Sequence, residues 1–374
     1  MPGALANWYM LTGNKQALRI SGELVRFLTK PKFWADAENG DYPGVVGAEH
    51  AHWTGHFHGH INTLRAILEY AIATNDSRLK SFVRDGYAWA RQHLLARIGF
   101  VGDGQGCGCG RLIGLAVKLS DAGVGDYWED VDHYIRNQGI EMQFTSEDID
   151  YLKKLGEGKL PPPEDFSVTT EGVYKATIGA YCSNVIWNQS TWIECCSSHG
   201  NMGLFYAWDG TLRYEDGVAR INLLLNRDSP WMDIDSYLPF EGKVVITNKK
   251  AKDVFVRIPL WVNMSEVKCT VGKNDMSNNW FGNYLRFRNL KETDILTIRF
   301  PMVEKTETWN VMFAVGEPQK QLHTIRFRGN TVVELKPPLQ PGSPLYQRRV
   351  AKYKATTAPT KKVIRNTSPI VLKW

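Results

Sequence analysis

The chain has 374 residues, of which 43% are hydrophobic, and it carries a formal net charge of +6. This length exceeds what one hydrophobic core usually supports, so we expect a globular protein of two or three domains. The basic residues are dispersed except between Arg348 and Arg365, a run that indicates a solvated face and not a nucleic-acid site. No long apolar segment or signal peptide is visible, so we expect no membrane partner and, by default, a cytoplasmic location.

The first two hundred residues predict helices. Apolar residues recur at i, i+3, i+4 and i+7 in Leu64–Ile72, Leu112–Leu119 and Tyr127–Ile135. Polar turns of one style separate these segments: Thr12–Asn14, Thr74–Asp76 and Asp121–Asp126. Such turns at regular intervals indicate stacked helical hairpins, the unit of an α/α toroid.

A different pattern begins near Leu212. Apolar and polar residues alternate in Ile221–Leu225, Val254–Ile258 and Leu296–Phe300, which predicts the short strands of a β-sandwich. Further on, Thr324–Phe327 and Thr331–Leu335 flank a turn and predict a hairpin.

The predicted fold class is therefore α+β and multidomain. We predict a helical toroid portion over residues 1–208 and a β-sandwich over 209–310, followed by a C-terminal β-rich segment with a basic tail over 311–374.

Four of the six cysteines fall in two tight groups, Cys107 with Cys109 and Cys195 with Cys196. Distant cysteine pairs are expected when two segments converge on one thiophilic metal ion, and Zn²⁺ is the ion that thiolates most often hold. The alternatives are small buried hydrophobes and, less favoured at this cysteine density, a disulfide framework. The predicted zinc site would lie on the helical domain near its junction with the strands.

The segment from Glu49 to His60 contains five histidines in eleven residues. Imidazoles at His56, His58 and His60 would donate to sugar hydroxyls or bind a second metal, and Trp53 would offer a ring on which a sugar stacks. The alternative is a polar loop that caps the following helix.

Three stretches resemble glycoside hydrolase family 127, the β-L-arabinofuranosidases, and their relatives: Cys107–Val131, Glu194–Cys196 with Gly203–Trp208 behind it, and Asn222–Trp261. Pro344–Arg348 is similar as well. The resemblance implies an (α/α)6 barrel followed by β-sandwich domains, a carbohydrate substrate, and a zinc ion held by one glutamate and three cysteines. His60 falls in a stretch similar to one that supplies a sugar-binding histidine.

The positions that match the family's metal ligands are Gln105, Cys107, Cys195 and Cys196, with Cys195 as the nucleophile. A thiolate beside zinc is deprotonated at neutral pH, which suits a nucleophile and implies a retaining mechanism. Gln105 stands where the family has glutamate, and Cys109 would complete a four-sulfur shell in its place. Such a shell is more typical of a closed structural zinc site.

The general acid is expected at Asp103 or Glu194, since the family's acid glutamate has no other counterpart before Gln105. Each is alternatively a loop carboxylate or a helix cap. The residues before Cys195 supply fewer helices than a complete barrel needs. We therefore expect either a missing front part, in which case the protein would be secreted if that part carried a signal, or an incomplete toroid that self-associates through uncovered apolar faces.

The leading hypothesis is thus a zinc-dependent glycosidase with a cysteine nucleophile that acts on an arabinofuranoside or a related glycan. The alternatives are a non-catalytic carbohydrate-binding or structural relative with a structural zinc, and a zinc-stabilised interaction scaffold.

Overall fold

The computed structural model describes residues 1–34, 51–53, 56–92, 94–101, 106–156, 172–181, 196–312, 320–339 and 346. Helices dominate its first part and antiparallel sheets its second, so the chain is a mixed α and β protein. Two compact units are present: the first combines Met1–Gly210 with Glu304–Lys352, and the described residues of the second are Thr211–Val303. None of the described helices is long and apolar enough to span a membrane.

The first unit is built from helices. In its described residues these are α1 (Pro2–Thr12), α2 (Lys15–Leu28), α3 (Phe57–Thr74), α4 (Ser77–Gln92), α5 (Gly106–Asp121), α6 (Trp128–Tyr134), α7 (Ile149–Gly156), α8 (Val173–Ala176) and α9 (Cys196–Gly210). Two short strands, β1 (Leu94–Leu95) and β2 (Phe100–Val101), pair between α4 and α5. The apolar stripes predicted from the sequence lie on α3, α5 and α6, where Leu64, Leu112 and Val131 are fully buried. The helical prediction for these segments is confirmed.

In the predicted polar turns, the preceding helix ends at a residue in the left-handed conformation. Gly13 follows α1 with φ 74°, and Asn75 follows α3 with φ 53°. Asn14 then caps α2, because its side-chain oxygen accepts from the backbone N–H of Ala17 at 3.0 Å. Left-handed C-caps and side-chain N-caps satisfy backbone groups that a helix end leaves unpaired, so each turn reverses the chain at little cost.

Helices α5 and α9 pack closely and run parallel. A Cβ placed on Gly203 would lie 2.7 Å from Cα of Gly110, and a Cβ placed on Gly114 would lie 2.7 Å from Cδ2 of Tyr206. Residue numbers increase in the same direction along both helices at these contacts, which sets the helices parallel. The glycines allow the two backbones to approach, so the N-terminal ends of α5 and α9 lie side by side.

The hairpin predicted near the C-terminus is confirmed. Strands β14 (Lys320–Arg328) and β15 (Thr331–Lys336) pair in antiparallel register around Gly329, whose φ is 57°. With β13 (Glu304–Met312) they form a three-stranded sheet in the order β13-β14-β15. The sheet belongs to the helical unit, whereas the sequence pattern had assigned β14 and β15 to a third segment and most of β13 to the β-sandwich. The inner face of the hairpin joins a hydrophobic cluster with other residues of the first unit: Phe100, Met142, Tyr181, Ile325, Phe327, Val332 and Leu335 are among its members.

Polar bonds from Asn330 attach the hairpin turn to α6. Its buried side-chain nitrogen donates to the carboxylates of Glu129 and Asp132, each at 2.8 Å. Its side-chain oxygen accepts a hydrogen bond from Nη1 of Arg97 and lies 2.8 Å from Nε2 of His133. Burial alone would raise the pKa of Asp132, but the guanidinium of Arg136 and the amide of Asn330 outweigh it, so the pKa is lowered. Hydrogen bonds to charged groups contribute roughly 1.5–3 kcal/mol each, which makes this turn a strong attachment point.

The second unit contains two five-stranded sheets. One has the order β10-β11-β7-β4-β3 and the other β5-β6-β12-β8-β9. Their strands are β3 (Leu212–Glu215), β4 (Val218–Ile221), β5 (Met232–Ser236), β6 (Lys243–Asn248), β7 (Asp253–Arg257), β8 (Lys268–Val271), β9 (Asn274–Met276), β10 (Trp280–Phe281), β11 (Tyr284–Phe287) and β12 (Ile295–Arg299). Alternate residues of both sheets, such as Val254 and Ile298, meet in one hydrophobic cluster. The period-two pattern is confirmed as strand in β7 and β12. It is wrong for most of Ile221–Leu225, where only Ile221 lies in a strand, at the end of β4.

The close approach of α5 and α9 makes a stability prediction. A Cβ on Gly110 would lie 2.1 Å from the backbone oxygen of His199, so Gly110→Ala should lower the free energy of unfolding by roughly 3 kcal/mol. The matched control is Gly59→Ala on α3, where the nearest atom is the movable ring of His56 at 3.3 Å. Alanine is the better helix former, so the control should be neutral or stabilising. Chemical unfolding followed by circular dichroism measures both, and equal stability of the two variants would contradict the packing argument.

Candidate functional site

The N-terminal parts of three helices, α3, α5 and α9, bring together a group of basic side chains. Arg111 of α5 lies between His58 of α3 and His199 of α9. Its Nη2 approaches Nδ1 of His199 at 2.7 Å, and its Nε donates to Nε2 of His58 at 3.4 Å. The two imidazole rings lie 4.6 Å apart between centroids. Each helix therefore supplies one member, and the group exists only because the three helices pack against one another.

A second arginine extends this group. Arg65, two turns along α3 from His58, donates from Nη1 to the hydroxyl of Tyr206, and its guanidinium also lies 4.2 Å from the centre of the tyrosine ring. Burial lowers the pKa of Arg111, and the positive charge of Arg65 lowers it further, whereas Tyr206 and Cys107 oppose that change. The effect on Arg111 shows that the two cationic groups share one local environment. We call Arg65, Arg111, His58, His199 and Tyr206 the basic cluster.

Both histidines of the basic cluster are held neutral. Burial lowers the pKa of His58 to about 4, and the charges of His199, Arg111 and His56 add to the effect. The pKa of His199 is lowered by burial and by Arg111. A neutral imidazole has one donor and one acceptor nitrogen, so at neutral pH these rings suit hydrogen bonds to hydroxyl groups.

Two of the predicted metal ligands lie beside the basic cluster. Cys107 is in the first turn of α5 and Cys196 is the first residue of α9, and both side chains are buried. Because these helices are parallel, the two thiols lie at the same end, and Cys107 is close enough to Arg111 to influence its pKa. Helix N-termini stabilise thiolate, which is the form that binds zinc. The roles of Cys107 and Cys196 as zinc ligands stay predictions.

Cys109 stands apart from this pair. Residues two apart on a helix are rotated by about 200°, and Cys107 shares the face of Gly110 and Gly114 that packs on α9. Burial raises the pKa of the Cys109 thiol to about 12, which is typical of a thiol in apolar surroundings. The helical rotation argues against Cys109 as the fourth ligand, a role that stays a prediction.

Four of the predicted site residues lie outside the described residues: Asp103, Gln105, Glu194 and Cys195. Within the described ranges, no three His, Cys, Asp or Glu side chains form a group that would hold a metal. The ligand set and the acid and nucleophile roles therefore stay predictions.

The predicted sugar-binding histidines point in different directions. His58 joins the basic cluster, while the ring nitrogens of His60 face the backbone oxygens of His56 and Phe33 at 2.9 and 3.2 Å. His60 stacks on Trp53 with 5.3 Å between centroids, and Trp53 is only 5% exposed. His56 is exposed at the start of α3. Trp53 and His60 thus contribute to an aromatic core, and their roles in sugar binding stay predictions.

Arg111, His199 and Arg65 were not singled out from the sequence. A signal for two of them was present, since Arg111 follows Cys107 by one helical turn and His199 follows Cys196 by three residues. Once both segments are assigned to helices, these spacings place each basic residue on the same face as its cysteine. Arg65 carries no comparable signal.

Comparison with solved structures shows which fold this is. A β-L-arabinofuranosidase of glycoside hydrolase family 127 from Geobacillus stearothermophilus T6 has a TM-score of 0.54 at 16% identity, and another β-arabinofuranosidase of that family has 0.59 at 13%. A further glycoside hydrolase has 0.57 at 14%. Each match covers 88% of this chain, which in turn spans 57%, 55% and 59% of theirs. No protein-family model matches the chain, and no curated protein matches it in sequence.

The resemblance to family 127 is thereby confirmed at the level of the fold. The chain spans somewhat more than half the length of the structures it matches.

The depressed pKa of His58 predicts how stability depends on pH. An unfolded chain protonates this histidine as the pH falls below 6.5, whereas the folded protein does so only near 4. The contribution of His58 to stability is therefore complete above about pH 6.5 and is lost progressively as the pH falls toward 4. Between pH 7 and 4.5, unfolding measurements should show a smaller loss of stability for His58→Gln than for the unaltered protein. A ring-proton titration with a midpoint near 6.5 for His58 would contradict this prediction.

Proposed function

We propose that the protein is a retaining glycoside hydrolase that acts on an arabinofuranoside or a related glycan, with Cys195 as nucleophile. The observation that carries the proposal is the convergence of Cys107 and Cys196 at the ends of two parallel helices, within a fold similar to that of two β-arabinofuranosidases. We further propose that the helical unit is part of an (α/α) toroid and that the two five-stranded sheets form a β-sandwich.

Cys107, Cys195 and Cys196 would hold the zinc ion, with Gln105 at the remaining family position. When bound, zinc supplies positive charge that keeps adjacent sulfur atoms deprotonated. The start of α9 adds to this, because the N-terminal end of a helix stabilises negative charge on Cys196, the first residue of α9. Arg111 adds a further positive charge near Cys107.

In the first half of the proposed reaction, the thiolate of Cys195 attacks the anomeric carbon. A carbon–sulfur bond forms as the glycosidic carbon–oxygen bond breaks, and the leaving oxygen takes a proton from Glu194 or Asp103. In the second half the same carboxylate removes a proton from water, which attacks the anomeric carbon and releases the thiolate. Two displacements on opposite faces retain the configuration of the sugar.

His58 and His199 are suited to position the sugar. Their lowered pKa values keep them neutral at pH 7, so each presents a ring N–H to a hydroxyl group without adding charge. Hydrogen bonds of this kind select polyhydroxyl ligands and hold the reacting carbon in place.

Removal of the nucleophile tests the catalytic part of the proposal. Zinc-loaded protein should hydrolyse at least one member of a panel of aryl glycosides that includes arabinofuranosides. Cys195→Ser should lower kcat by about 100-fold or more, because an alcohol is a far weaker nucleophile at neutral pH than a thiolate. Zinc content measured by atomic absorption should persist in part. Absence of turnover on every substrate would favour the alternative, a carbohydrate-binding relative without catalysis.

Metal analysis tests the zinc site separately. The purified protein should bind about one zinc ion, and Cys107→Ser and Cys196→Ser should each lower that occupancy, since each removes one ligand of a tetrahedral shell. Cys109→Ala should retain zinc, because Cys109 lies on the side of α5 opposite to Cys107. Cys269→Ser is the matched control, because Cys269 is buried in the sheet unit, where its thiol donates to Asn278 at 3.1 Å. Equal zinc content in all four variants would overturn the proposed site.

A further inference from the structure

Among the described residues, no carboxylate balances the cationic groups of the basic cluster. Arg111 is only 9% exposed and Arg65 is partly buried. Over the part of the chain that the structure describes, no carboxylate forms an ion pair with either guanidinium, and no acidic group contributes to the pKa of Arg111 except the Cys107 thiol and the Tyr206 phenol.

Other arginines of the same unit are paired. Arg91 contacts Asp130 at 3.1 Å, and Arg136 contacts Asp132 at 2.7 Å. Burial of a positive charge costs free energy unless an opposite charge or an acceptor offsets it. Carboxylates offset it at half-exposed Arg91 and at largely buried Arg136. In the basic cluster the described residues offset it only with neutral acceptors, the imidazoles that face Arg111 and the Tyr206 hydroxyl that faces Arg65.

The hydrogen bonds within the basic cluster use the acceptor atoms of its histidines and tyrosine. The groups that remain for a ligand are therefore donors. An arginine has only donors, so the ring nitrogens that face Arg111, Nε2 of His58 and Nδ1 of His199, must be acceptors. The hydrogens then lie on Nδ1 of His58 and on Nε2 of His199, the second of which also lies 3.4 Å from Nη2 of Arg111. Tyr206 accepts from Arg65, which leaves its own hydroxyl hydrogen to donate. Nε of Arg65 is buried and has no hydrogen-bond partner within the described ranges.

The position of the cluster also favours an anion. His199 lies in the first turn of α9 and Arg111 in the second turn of α5, so the partial positive charges of these helix ends add to the charge of the Arg111 guanidinium, whereas Arg65 and Tyr206 lie further along their helices. The contacts with His58, His199 and Tyr206 use only some of the N–H groups of the two guanidiniums, and the remaining N–H groups match the oxygens of a carboxylate. The adjacent neutral imidazoles provide single donors of the kind that bind sugar hydroxyls.

We propose that the basic cluster binds the carboxylate of an acidic sugar, so that the preferred ligand is a glycan that contains a uronic acid. This inference rests on the proposed function for the sugar part of the ligand, and on the two arginines for its charge. Arg65 and Arg111 determine the preference for an acidic over a neutral sugar, and His58 and His199 bind the adjacent hydroxyl groups.

Calorimetric titration of the full chain at pH 7 tests the proposal with three probes: galacturonate, galactose and acetate. Galacturonate should bind about tenfold more tightly than galactose, because it alone supplies the counter-charge, and about tenfold more tightly than acetate, because it alone supplies the ring hydroxyls. Equal affinity for galacturonate and galactose would overturn the charge assignment. Equal affinity for galacturonate and acetate would show a general anion site and overturn the acidic-sugar assignment.

Variants locate the effect. Arg111→Gln and Arg65→Gln should each weaken galacturonate binding by about tenfold and galactose binding much less, while Arg111→Lys should retain part of the preference. The matched control is Arg19→Gln, which makes the same change of charge at an exposed residue paired with Glu23 on α2. If both glutamine variants bind galacturonate as the unaltered protein does, the proposal fails. If circular dichroism shows that they do not fold, the comparison of the three probes on the unaltered protein decides.

These experiments distinguish failure of the acidic-sugar proposal from failure of the proposed hydrolase function. Hydrolysis of a neutral arabinofuranoside without preference for galacturonate would overturn this inference alone. Preferential binding of galacturonate by a protein that hydrolyses no glycoside would support this inference and overturn the proposed hydrolase.

Discussion

The close contact between α5 and α9 is the constraint on which the candidate site depends. Gly110 and Gly203 face the opposite helix backbone directly, and Gly114 makes room for the ring of Tyr206, so the helices pack at contact distance and in parallel. Parallel packing places two helix N-termini at one end of the unit, with Cys107 and Cys196 in their first turns. Antiparallel packing would have placed the two cysteines at opposite ends of the helix pair.

The same contact creates an electrostatic environment that is unusual for a protein interior. Arg111 is carried into the packed region by α5 and is surrounded by imidazoles and a second arginine, without a carboxylate among the described residues. Burial and positive charge together keep His58 and His199 neutral. A site that combines buried cations with neutral hydrogen-bond donors is suited to a ligand that brings both negative charge and hydroxyl groups.

A second set of polar contacts ties distant parts of the chain to the helical unit. Asn330 reaches Asp132 and Glu129 on α6 although 198 and 201 residues separate them in sequence. Asn137, one turn beyond α6, donates to the backbone oxygen of Asn330 and accepts from the N–H of Val332, each at 2.8 Å. The three-stranded sheet is thereby part of the helical unit, which local sequence patterning had no means to indicate.

The sequence by itself determined the local structure and the fold class. Apolar spacing identified α3, α5 and α6, alternation identified β7 and β12, and the Gly329 turn identified the β14–β15 hairpin, because each of these signals depends on residues within a few positions of one another. The cysteine motifs pointed to a family whose fold the structure shares.

The tertiary structure alone decided which side chains meet. Arg111 and His199 are 88 residues apart, and their contact depends on helix packing. The environments of His58 and His60 could not be predicted from the sequence either. The two residues lie on different sides of α3, and only the packing of α3 against its neighbours places His58 in the basic cluster and His60 in an aromatic core.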